Sequence, residues 1–236
     1  MNQAIYLRQV MPVVQVAFIS GRPSEALVSS LSRLPLDSLV LVCRRGDLAL
    51  VKARADVIRP LLGVDVSIEP LEGDPIESAI EILSRLVSES EGEVIVNLGG
   101  ADAELAVVGL SAAYLLGLRT YTISGGRLLE LPVVRKPILS FISREKVEVL
   151  VALLRSGDWS TLEDLSGLTR RGRAVLSYHI HGSERTPGLA DMGLVEVRRK
   201  GKVTEVSLTP TGRALAISAR SLYRINSSRR ASRGSS

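Results

Sequence analysis

The chain has 236 residues, of which 45% are hydrophobic and 23% charged, the balance of a folded protein with a buried core. Its single cysteine, Cys43, excludes an internal disulfide framework and a cysteine-ligated zinc. No apolar run reaches the roughly 18 residues of a membrane-spanning helix, and no signal-peptide pattern opens the chain. We therefore expect a cytoplasmic protein with no membrane partner.

Charge is distributed unevenly along the chain. Residues 1–140 carry 13 Lys and Arg against 16 Asp and Glu, a net charge of −3, whereas residues 141–236 carry 17 against 9, a net charge of +8. This asymmetry indicates that only the C-terminal part meets a polyanion, for which DNA is the usual candidate. A solvated basic surface is the alternative.

Short apolar runs alternate with helical patterns through residues 12–135. Strands are predicted over 13–19, 38–43, 64–69 and 93–98. Helices are predicted over 23–34 and 47–62, a third helix begins at residue 75, and a fourth runs from the loop after the fourth strand to about residue 117. The alternation and the continuous apolar strands predict an α/β, Rossmann-like parallel sheet with helices on both faces. Ser124-Gly125-Gly126-Arg127 then predicts a hairpin turn that leads into an antiparallel strand.

Two loops at the carboxyl edge of this sheet are candidate ligand sites, since open α/β sheets bind ligands where the strand order reverses. Residues 20–24 and 97–102 both place small residues before a helix N-terminus, which favours phosphate; the alternative is that their glycines only form tight turns. Neither loop contains GxGxxG or a Walker A sequence, so we expect no cofactor. The candidate ligand-binding residues are Ser20, Gly21, Arg22, Ser24, Arg44, Asn97, Leu98, Gly99, Gly100 and Asp102.

Residues 143–181 show three helical patterns in the order of a helix-turn-helix. A first helix begins at a Ser143 cap. A short second helix is predicted with Ser160 as its cap and ends near residues 166–167. The third, opened by Thr169 and running to His181, is predicted to be the recognition helix, with its first turn rich in arginine.

A β-hairpin is predicted next, with the basic turn 198–202 at its tip and a final helix from about residue 209. A cationic tip suits a wing that lies against DNA phosphates, although an ordinary exposed hairpin is the alternative. We predict a sensor domain over 1–138, a winged-helix domain over 139–225 and a disordered basic tail over 226–236. The candidate DNA-binding residues are Ser160, Thr169, Arg170, Arg171, Arg173, Ser177, Arg198, Arg199, Lys200 and Lys202.

The two histidines, His179 and His181, are two positions apart on a predicted helix. Their side chains then point about 200° away from each other, which excludes a shared metal. No Ser/His/Asp constellation and no cluster of carboxylates is evident. We therefore predict no catalytic residue, no metal ligand and no enzymatic activity.

Short motifs in both parts of the chain resemble known families. Gly193-Leu194-Val195, the basic turn and residues 208–212 resemble MarR/ArsR-like regulators of archaea and bacteria. With the Rossmann-like part, the chain resembles CRISPR-associated regulators that join a CARF sensor domain to a C-terminal winged helix. Residues 19–24 and 94–102 carry this resemblance, and the second segment is similar to the Asn-x-(Thr/Gly)-Gly-Gly motif of that family.

The resemblance implies an archaeal-type transcription regulator of CRISPR antiviral defence. It implies a homodimer that binds double-stranded DNA and holds a cyclic oligoadenylate second messenger, typically the tetra-adenylate, between its sensor domains. The chain departs from the family at Ala101-Asp102-Ala103-Glu104, where a Lys, Thr or Ser is frequent. Two carboxylates there oppose phosphate binding and argue against ring-nuclease activity. The alternatives are a ring nuclease and a regulator that senses an ordinary nucleotide or sugar phosphate.

Overall fold

The computed structural model describes residues 11–21, 25–201 and 203–233, with side chains described as far as Ser221. Contacts divide the chain into two compact units. The first unit contains residues up to Glu72, Glu89–Ala113 and Leu118–Val133, and the second contains Gly73–Ser88, Tyr114–Gly117 and the chain from Val134 onward.

The first unit is built on one six-stranded sheet. Its strands are β1 Val13–Ile19, β2 Ser38–Arg44, β3 Asp65–Leu71, β4 Glu93–Gly100, β5 Thr120–Ser124 and β6 Arg127–Leu131. Their order is β3-β2-β1-β4-β5-β6, with parallel pairing up to β5 and antiparallel pairing between β5 and β6. This is a Rossmann-like fold, and the predicted parallel sheet with its antiparallel last strand is confirmed.

Four helices connect the parallel strands: α1 Glu25–Leu31, α2 Leu48–Leu62, α3 Pro75–Glu89 and α4 Ala103–Leu116. The helix α3 belongs by its contacts to the second unit. Asp74 caps it as the sequence predicts, accepting hydrogen bonds from the backbone amides of Ile76 and Glu77. Strand residues such as Ala17, Leu41 and Cys43 are fully buried, because helices cover the sheet.

The predicted hairpin turn between β5 and β6 has a clear backbone requirement. Gly125 and Gly126 both have positive φ, +55° and +74°. Two consecutive positive φ values define the tight turn that matches strand twist, and glycine adopts them at no steric cost. The Gly-Gly pair therefore forms the two-residue connection that the sequence predicted.

Helices surround a small sheet in the second unit. After α3, the elements are α5 Arg144–Ser156, β7 Ser160–Thr161, α6 Leu162–Thr169, α7 Arg173–His181, β8 Gly182–Ser183, β9 Thr186–Pro187, β10 Val195–Lys200, β11 Val203–Leu208 and α8 Pro210–Arg233. The order β10-β11-β7 forms an antiparallel three-stranded sheet, and β8 pairs with β9. Leu150, Leu165, Leu176, Val206 and Leu215 share one buried core.

Two predicted helix starts in this unit are wrong. Thr161, not Ser160, caps α6: it forms a capping box with Asp164, while Ser160 is a strand residue. The helix α6 continues through Thr169, so Thr169 closes α6 instead of opening the next helix. The cause is Arg170, which adopts a left-handed conformation with φ of +56° and ends the helix.

The last helix is longer than predicted. The helix α8 continues through Arg233, whereas the sequence predicted disorder from residue 226. Residues 213–233 contain neither glycine nor proline, so nothing in this stretch interrupts the helix. Residues 234–236 lie outside the described part of the chain. No helix among the described residues is long and apolar enough to cross a membrane.

Candidate functional site

The loops after β1 and β4 meet at the carboxyl edge of the sheet, where the strand order reverses. The Ser20 amide donates a 3.1 Å hydrogen bond to the Gly100 carbonyl, which ties the two loops together. The register of β1 against β4 shifts between Ala17 and Ile19, so β4 carries an irregularity at the start of its glycine pair. The fold thus brings the two candidate loops together at the point where the strand order reverses, as expected from the sequence.

Asn97 was predicted to bind a ligand, but in the structure it connects the elements of this edge. Its side chain is fully buried, and its amide nitrogen donates to Gln15 Oε1 at 2.6 Å and to Ser30 Oγ at 2.8 Å. Its amide oxygen accepts a 2.9 Å hydrogen bond from the Gly99 backbone amide. With these partners Asn97 links β4 to β1 and α1, and its fully buried side chain is not exposed to a ligand.

The glycine pair after Asn97 is required by helix packing. A Cβ on Gly99 would lie 2.7 Å from Ser30 Oγ and 2.9 Å from the Ala26 carbonyl oxygen, both in α1. A Cβ on Gly100 would lie 3.0 Å from an Ile19 methyl group of β1 and 3.2 Å from a Leu27 methyl group of α1. Both glycines therefore allow α1 to lie close to β4. The sequence predicted Leu98, Gly99 and Gly100 as ligand-binding residues, but all three are buried.

Arg44, a predicted phosphate ligand, is engaged by carboxylates. Its guanidinium forms two 2.8 Å hydrogen bonds with Asp102, a further 2.8 Å contact with Glu104 and a 3.4 Å contact with Asp47. The hydrogen bond with Asp102 is the largest cause that raises the pKa of Arg44 above its ordinary value. Asp102 also caps α4, accepting a 3.1 Å hydrogen bond from the Leu105 amide. The carboxylates that seemed to oppose phosphate are thus partly neutralised.

Arg54 is a residue of this edge that sequence reasoning missed. From α2 it donates to the carbonyl oxygens of Ser20 and Gly21 and so holds the loop after β1. A Cβ on Gly21 would lie 2.5 Å from Asp47 Oδ1, so close approach explains this glycine too. No helical periodicity marks Arg54, since its partners are backbone atoms distant in sequence. The predicted ligand residues Arg22 and Ser24 lie outside the described residues.

In the second unit, α6 and α7 are joined by the three-residue turn Arg170–Arg171–Gly172. The sequence predicted Arg170 and Arg171 in the first turn of the third helix. That prediction is wrong: both lie in the connection before it, and α7 begins at Arg173. Arg171 contacts Glu148 of α5 at 2.5 Å, and Arg173 contacts Glu163 at 3.2 Å. Arg170 is exposed and forms no ion pair with another described residue.

One face of α7 is open to solvent. Ala174 and Tyr178 are exposed there, Ser177 is half-buried between them, and His181 is exposed at the C-terminal end. Leu176, His179 and Ile180 occupy the buried face. Of these residues the sequence interpretation named only Ser177, and helical spacing from Ser177 would have indicated Ala174 and His181.

Two further predicted DNA-binding residues are turned toward the protein. Ser160 is only 2% exposed, and its hydroxyl lies 2.6 Å from that of Ser156. The Thr169 hydroxyl donates to the Leu165 carbonyl at 2.7 Å. Thr169 also borders a cavity of about 310 Å³ between α5 and α6, whose walls include Val151 and Leu168. Neither hydroxyl is free for a base or a phosphate.

The basic hairpin has a shorter turn than predicted. Arg198, Arg199 and Lys200 lie in β10, and Lys200 pairs with Val203, which leaves two residues at the tip. Arg199 and Lys200 are exposed and form no ion pair with a described side chain. Arg198 instead lies 3.9 Å from the centre of the Trp159 ring and contacts Glu205 at 2.7 Å. Lys202 lies outside the part of the chain that the structure describes.

His179 is buried in α7, and its Nδ1 has no hydrogen-bond partner. Burial is the largest cause that lowers its pKa, and the nearby positive charge of Arg171 acts in the same direction. The protonated form of this histidine is therefore disfavoured beneath the exposed face of α7. Within the described ranges, no group of three or more His, Cys, Asp or Glu could hold a metal ion.

No known family model matches the chain. An uncharacterized protein of Archaeoglobus fulgidus is 26% identical over 167 residues, which are 64% of this chain and 72% of the relative.

Similar solved structures include BpsR of Bordetella bronchiseptica, whose DNA binding is regulated by 6-hydroxynicotinic acid (28% identity, 38% of this chain, 65% of that chain, TM-score 0.31). VC1899 of Vibrio cholerae is also similar, with 11% identity over 89% of this chain and 66% of that chain and a TM-score of 0.41. Can2 of Sulfobacillus thermosulfidooxidans in complex with cyclic tetra-adenylate has 10% identity over 87% of this chain and 61% of that chain, with a TM-score of 0.42. The chain spans less than two thirds of each of these three. All three TM-scores lie below 0.5.

Proposed function

We propose that the protein is a DNA-binding transcription regulator whose C-terminal unit is a winged helix and whose Rossmann-like unit senses a ligand. The observation that carries the proposal is the exposed face of α7. It follows a three-residue turn after α6 and lies in the same unit as a hairpin with two exposed cations, Arg199 and Lys200, that have no ion-pair partner in the described part of the chain. A short turn containing glycine between two helices is the arrangement in which the second helix enters the major groove.

Charge supports the same proposal. The region from residue 141 onward has a net charge of +8, and contacts with phosphates supply most of the affinity of a protein for non-specific DNA. Arg170, Arg199 and Lys200 are exposed without ion-pair partners among the described side chains, so they are available to phosphates. The half-buried Ser177 of α7 would face base edges, whereas the side chain of Tyr178 is hydrogen-bonded to Thr186 and Ser183.

We further propose that the regulator is a homodimer that binds a cyclic oligoadenylate at the sheet edge formed by the loops after β1 and β4. This rests on the family resemblance of residues 19–24 and 94–102. Arg44 would have to exchange Asp102 and Glu104 for a phosphate, or the carboxylates would accept hydrogen bonds from ribose hydroxyls. Regulation of CRISPR-associated genes follows from the same resemblance.

A second candidate ligand is an ordinary nucleotide or sugar phosphate. The carboxylates around Arg44 favour it, because a ligand with one phosphate and several hydroxyls places fewer negative charges near Asp102 and Glu104. Calorimetry on the full chain with cyclic tri-, tetra- and hexa-adenylate and with AMP separates the two. One ring bound per two chains supports the cyclic ligand; AMP binding alone, or no binding, overturns it.

A carboxylate placed on the exposed face of α7 tests the DNA-binding proposal. Ala174→Glu keeps a helix-forming residue but puts a negative charge against the DNA, and we expect about a 100-fold loss of affinity, since like charges at an interface cost several kcal/mol. Affinity is measured by fluorescence anisotropy on a duplex selected from a random pool.

The matched control is Ala103→Glu, at an exposed position of α4 in the first unit, where affinity should stay unchanged. Circular dichroism confirms that both variants are folded. If wild-type protein enriches no duplex, or if Ala174→Glu binds like wild type, the proposed role of α7 is wrong.

A further inference from the structure

Three side chains clamp the small sheet of the second unit on one face. Arg198 of β10 lies directly across from Glu205 of β11, and Trp159 immediately precedes β7, which pairs with β11 on its other side. The Arg198 guanidinium lies 3.9 Å from the centre of the Trp159 ring. The side chain of Arg198 therefore spans from the first strand of this sheet across the middle one to the third.

The guanidinium of Arg198 is engaged from two directions. Its Nε and one Nη each lie 2.7 Å from the same oxygen of Glu205, whose side chain is only 16% exposed. Ring stacking and a largely desolvated carboxylate each hold a guanidinium more strongly than an exposed ion pair does. Arg198 would have to leave both partners to reach a phosphate. Its charge is therefore used in contacts within the protein, with Glu205 and the Trp159 ring.

The neighbouring cations are in the opposite situation. Arg199 and Lys200 end β10 at the tip of the hairpin, are exposed, and have no ion-pair partner among the described residues. A two-stranded ribbon is flexible on its own, so the direction in which these two side chains project depends on what holds the ribbon. The Trp159–Arg198–Glu205 clamp is a side-chain contact that ties β10 across β11 to the start of β7.

We propose that Trp159, Arg198 and Glu205 are positioning residues that fix the β10–β11 hairpin for DNA, and that Arg199 and Lys200 are its phosphate-binding cations. The inference rests on the proposed DNA-binding function. It assigns three basic residues of one strand to two different roles, although their charge is the same.

The salt dependence of binding tests the assignment on the full-length protein with a labelled 24-base-pair duplex of mixed sequence. Each phosphate contact contributes about 0.9 to the slope of log K against log salt concentration. Arg199→Ala/Lys200→Ala should therefore lower the magnitude of the slope by about 1.8, twice that contribution.

Trp159→Ala is the decisive variant, because it removes no charge. If the clamp places the hairpin, the slope falls nearly as much as in the double variant, and combining all three substitutions causes little further change. Trp159→Phe retains a ring and should restore most of the slope. A slope unchanged by Trp159→Ala would overturn the clamp.

Arginine-to-lysine replacements at adjacent positions provide the matched pair. Arg198→Lys keeps the charge but loses the planar group that stacks and pairs, so it should weaken DNA binding and shift the emission of Trp159, the only tryptophan, in the free protein. Arg199→Lys should do neither. This pair decides the question even if Trp159→Ala does not fold.

The outcomes separate the two proposals. A wild-type protein that binds no duplex in a salt-dependent manner refutes the proposed function itself. Salt-dependent binding by wild type that Arg199→Ala/Lys200→Ala leaves unchanged refutes only the role of the hairpin. If Arg198→Lys, like Arg199→Lys, changes neither DNA binding nor tryptophan emission, the stacked and paired guanidinium does not position the hairpin and the inference is overturned.

Discussion

Arg170 occupies a backbone conformation that normally belongs to glycine. It is the one non-glycine residue with positive φ among the described residues, and it ends α6 at an exposed position. The left-handed conformation costs an L-residue about 1–2 kcal/mol. Arg170 is exposed and has no ion-pair partner among the described residues, so under our proposal its side chain is available to a DNA phosphate.

Arg170→Gly should therefore change stability and DNA binding in opposite directions. We expect a gain of up to about 1 kcal/mol in the free energy of unfolding, because the left-handed conformation no longer carries a Cβ. We also expect the magnitude of the slope of log K for DNA binding against log salt concentration to decrease by about 0.9. Denaturant titration and fluorescence anisotropy measure the two effects. Arg170→Lys should show neither, and loss of stability in Arg170→Gly would contradict the expectation.

We expect His179 to make the stability of the protein depend on pH. Its pKa in the folded protein is lowered from the ordinary 6.5, chiefly by burial and then by Arg171, so the unfolded chain takes up the proton first as pH falls. Stability should therefore be full above about pH 6.5 and decrease as pH falls below it. The ionisable groups that act on the imidazole are Glu145, Lys146, Glu148 and Arg171.

The pH dependence can be measured by urea unfolding between pH 5 and pH 8. His179→Gln should flatten the decrease, whereas His181→Gln, at an exposed position of the same helix, should retain it. Wild-type stability that does not change between pH 5 and pH 7 would show that His179 protonates freely in the folded state.

At the scale of secondary-structure elements, α1 and β4 determine the shape of the switch point. The close approach of α1 to the strand needs the missing side chains of Gly99 and Gly100, and the buried amide of Asn97 joins both elements to β1. The residues that resemble a ligand-binding motif thus have a packing role of their own. A ligand at this edge would meet the loops that these contacts hold, and not the glycines.

Gly99→Ala should destabilise the first unit. The added methyl group would lie 2.7 Å from Ser30 Oγ and 2.9 Å from the Ala26 carbonyl, and α1 would have to move. We expect a loss of about 2 kcal/mol, typical of overpacking in a well-packed core. Gly46→Ala is the control, because a Cβ at that position would have no neighbour within 4 Å and the φ of Gly46 is not positive. Equal thermal stabilities of the two variants would contradict the packing role of Gly99.

At the scale of the whole molecule, the proposal joins a ligand-binding unit to a DNA-binding unit in one chain. The first 140 residues carry a net charge of −3 and the rest a net charge of +8, so the two parts suit different partners. If a ligand changes DNA affinity, thermodynamic linkage requires DNA to change ligand affinity by the same factor.

This reciprocity can be measured with cyclic tetra-adenylate as the probe. Anisotropy gives the DNA affinity with and without a saturating amount of the probe, and calorimetry gives the affinity for the probe with and without duplex. We expect the two ratios to agree and to exceed about fivefold, the lower range of allosteric coupling. Binding of both partners with ratios equal to one would show that the chain is not a ligand-controlled regulator.

Local signals along the chain are enough to predict the Rossmann-like sheet, its two candidate loops, the Gly125-Gly126 turn and the order of the helices and the basic hairpin in the second unit, but not the short strands β7, β8 and β9. Apolar periodicity, capping residues and turn chemistry act over a few neighbouring residues, so a sequence displays them directly. The roles of the polar residues emerge only from the folded chain. Arg44 lies against Asp102, 58 positions away, and Arg198 lies against Trp159, 39 positions away, so no local pattern records either contact. An arginine in a sequence is only a charge; whether a carboxylate, a ring or solvent surrounds it depends on which distant strands the fold brings together.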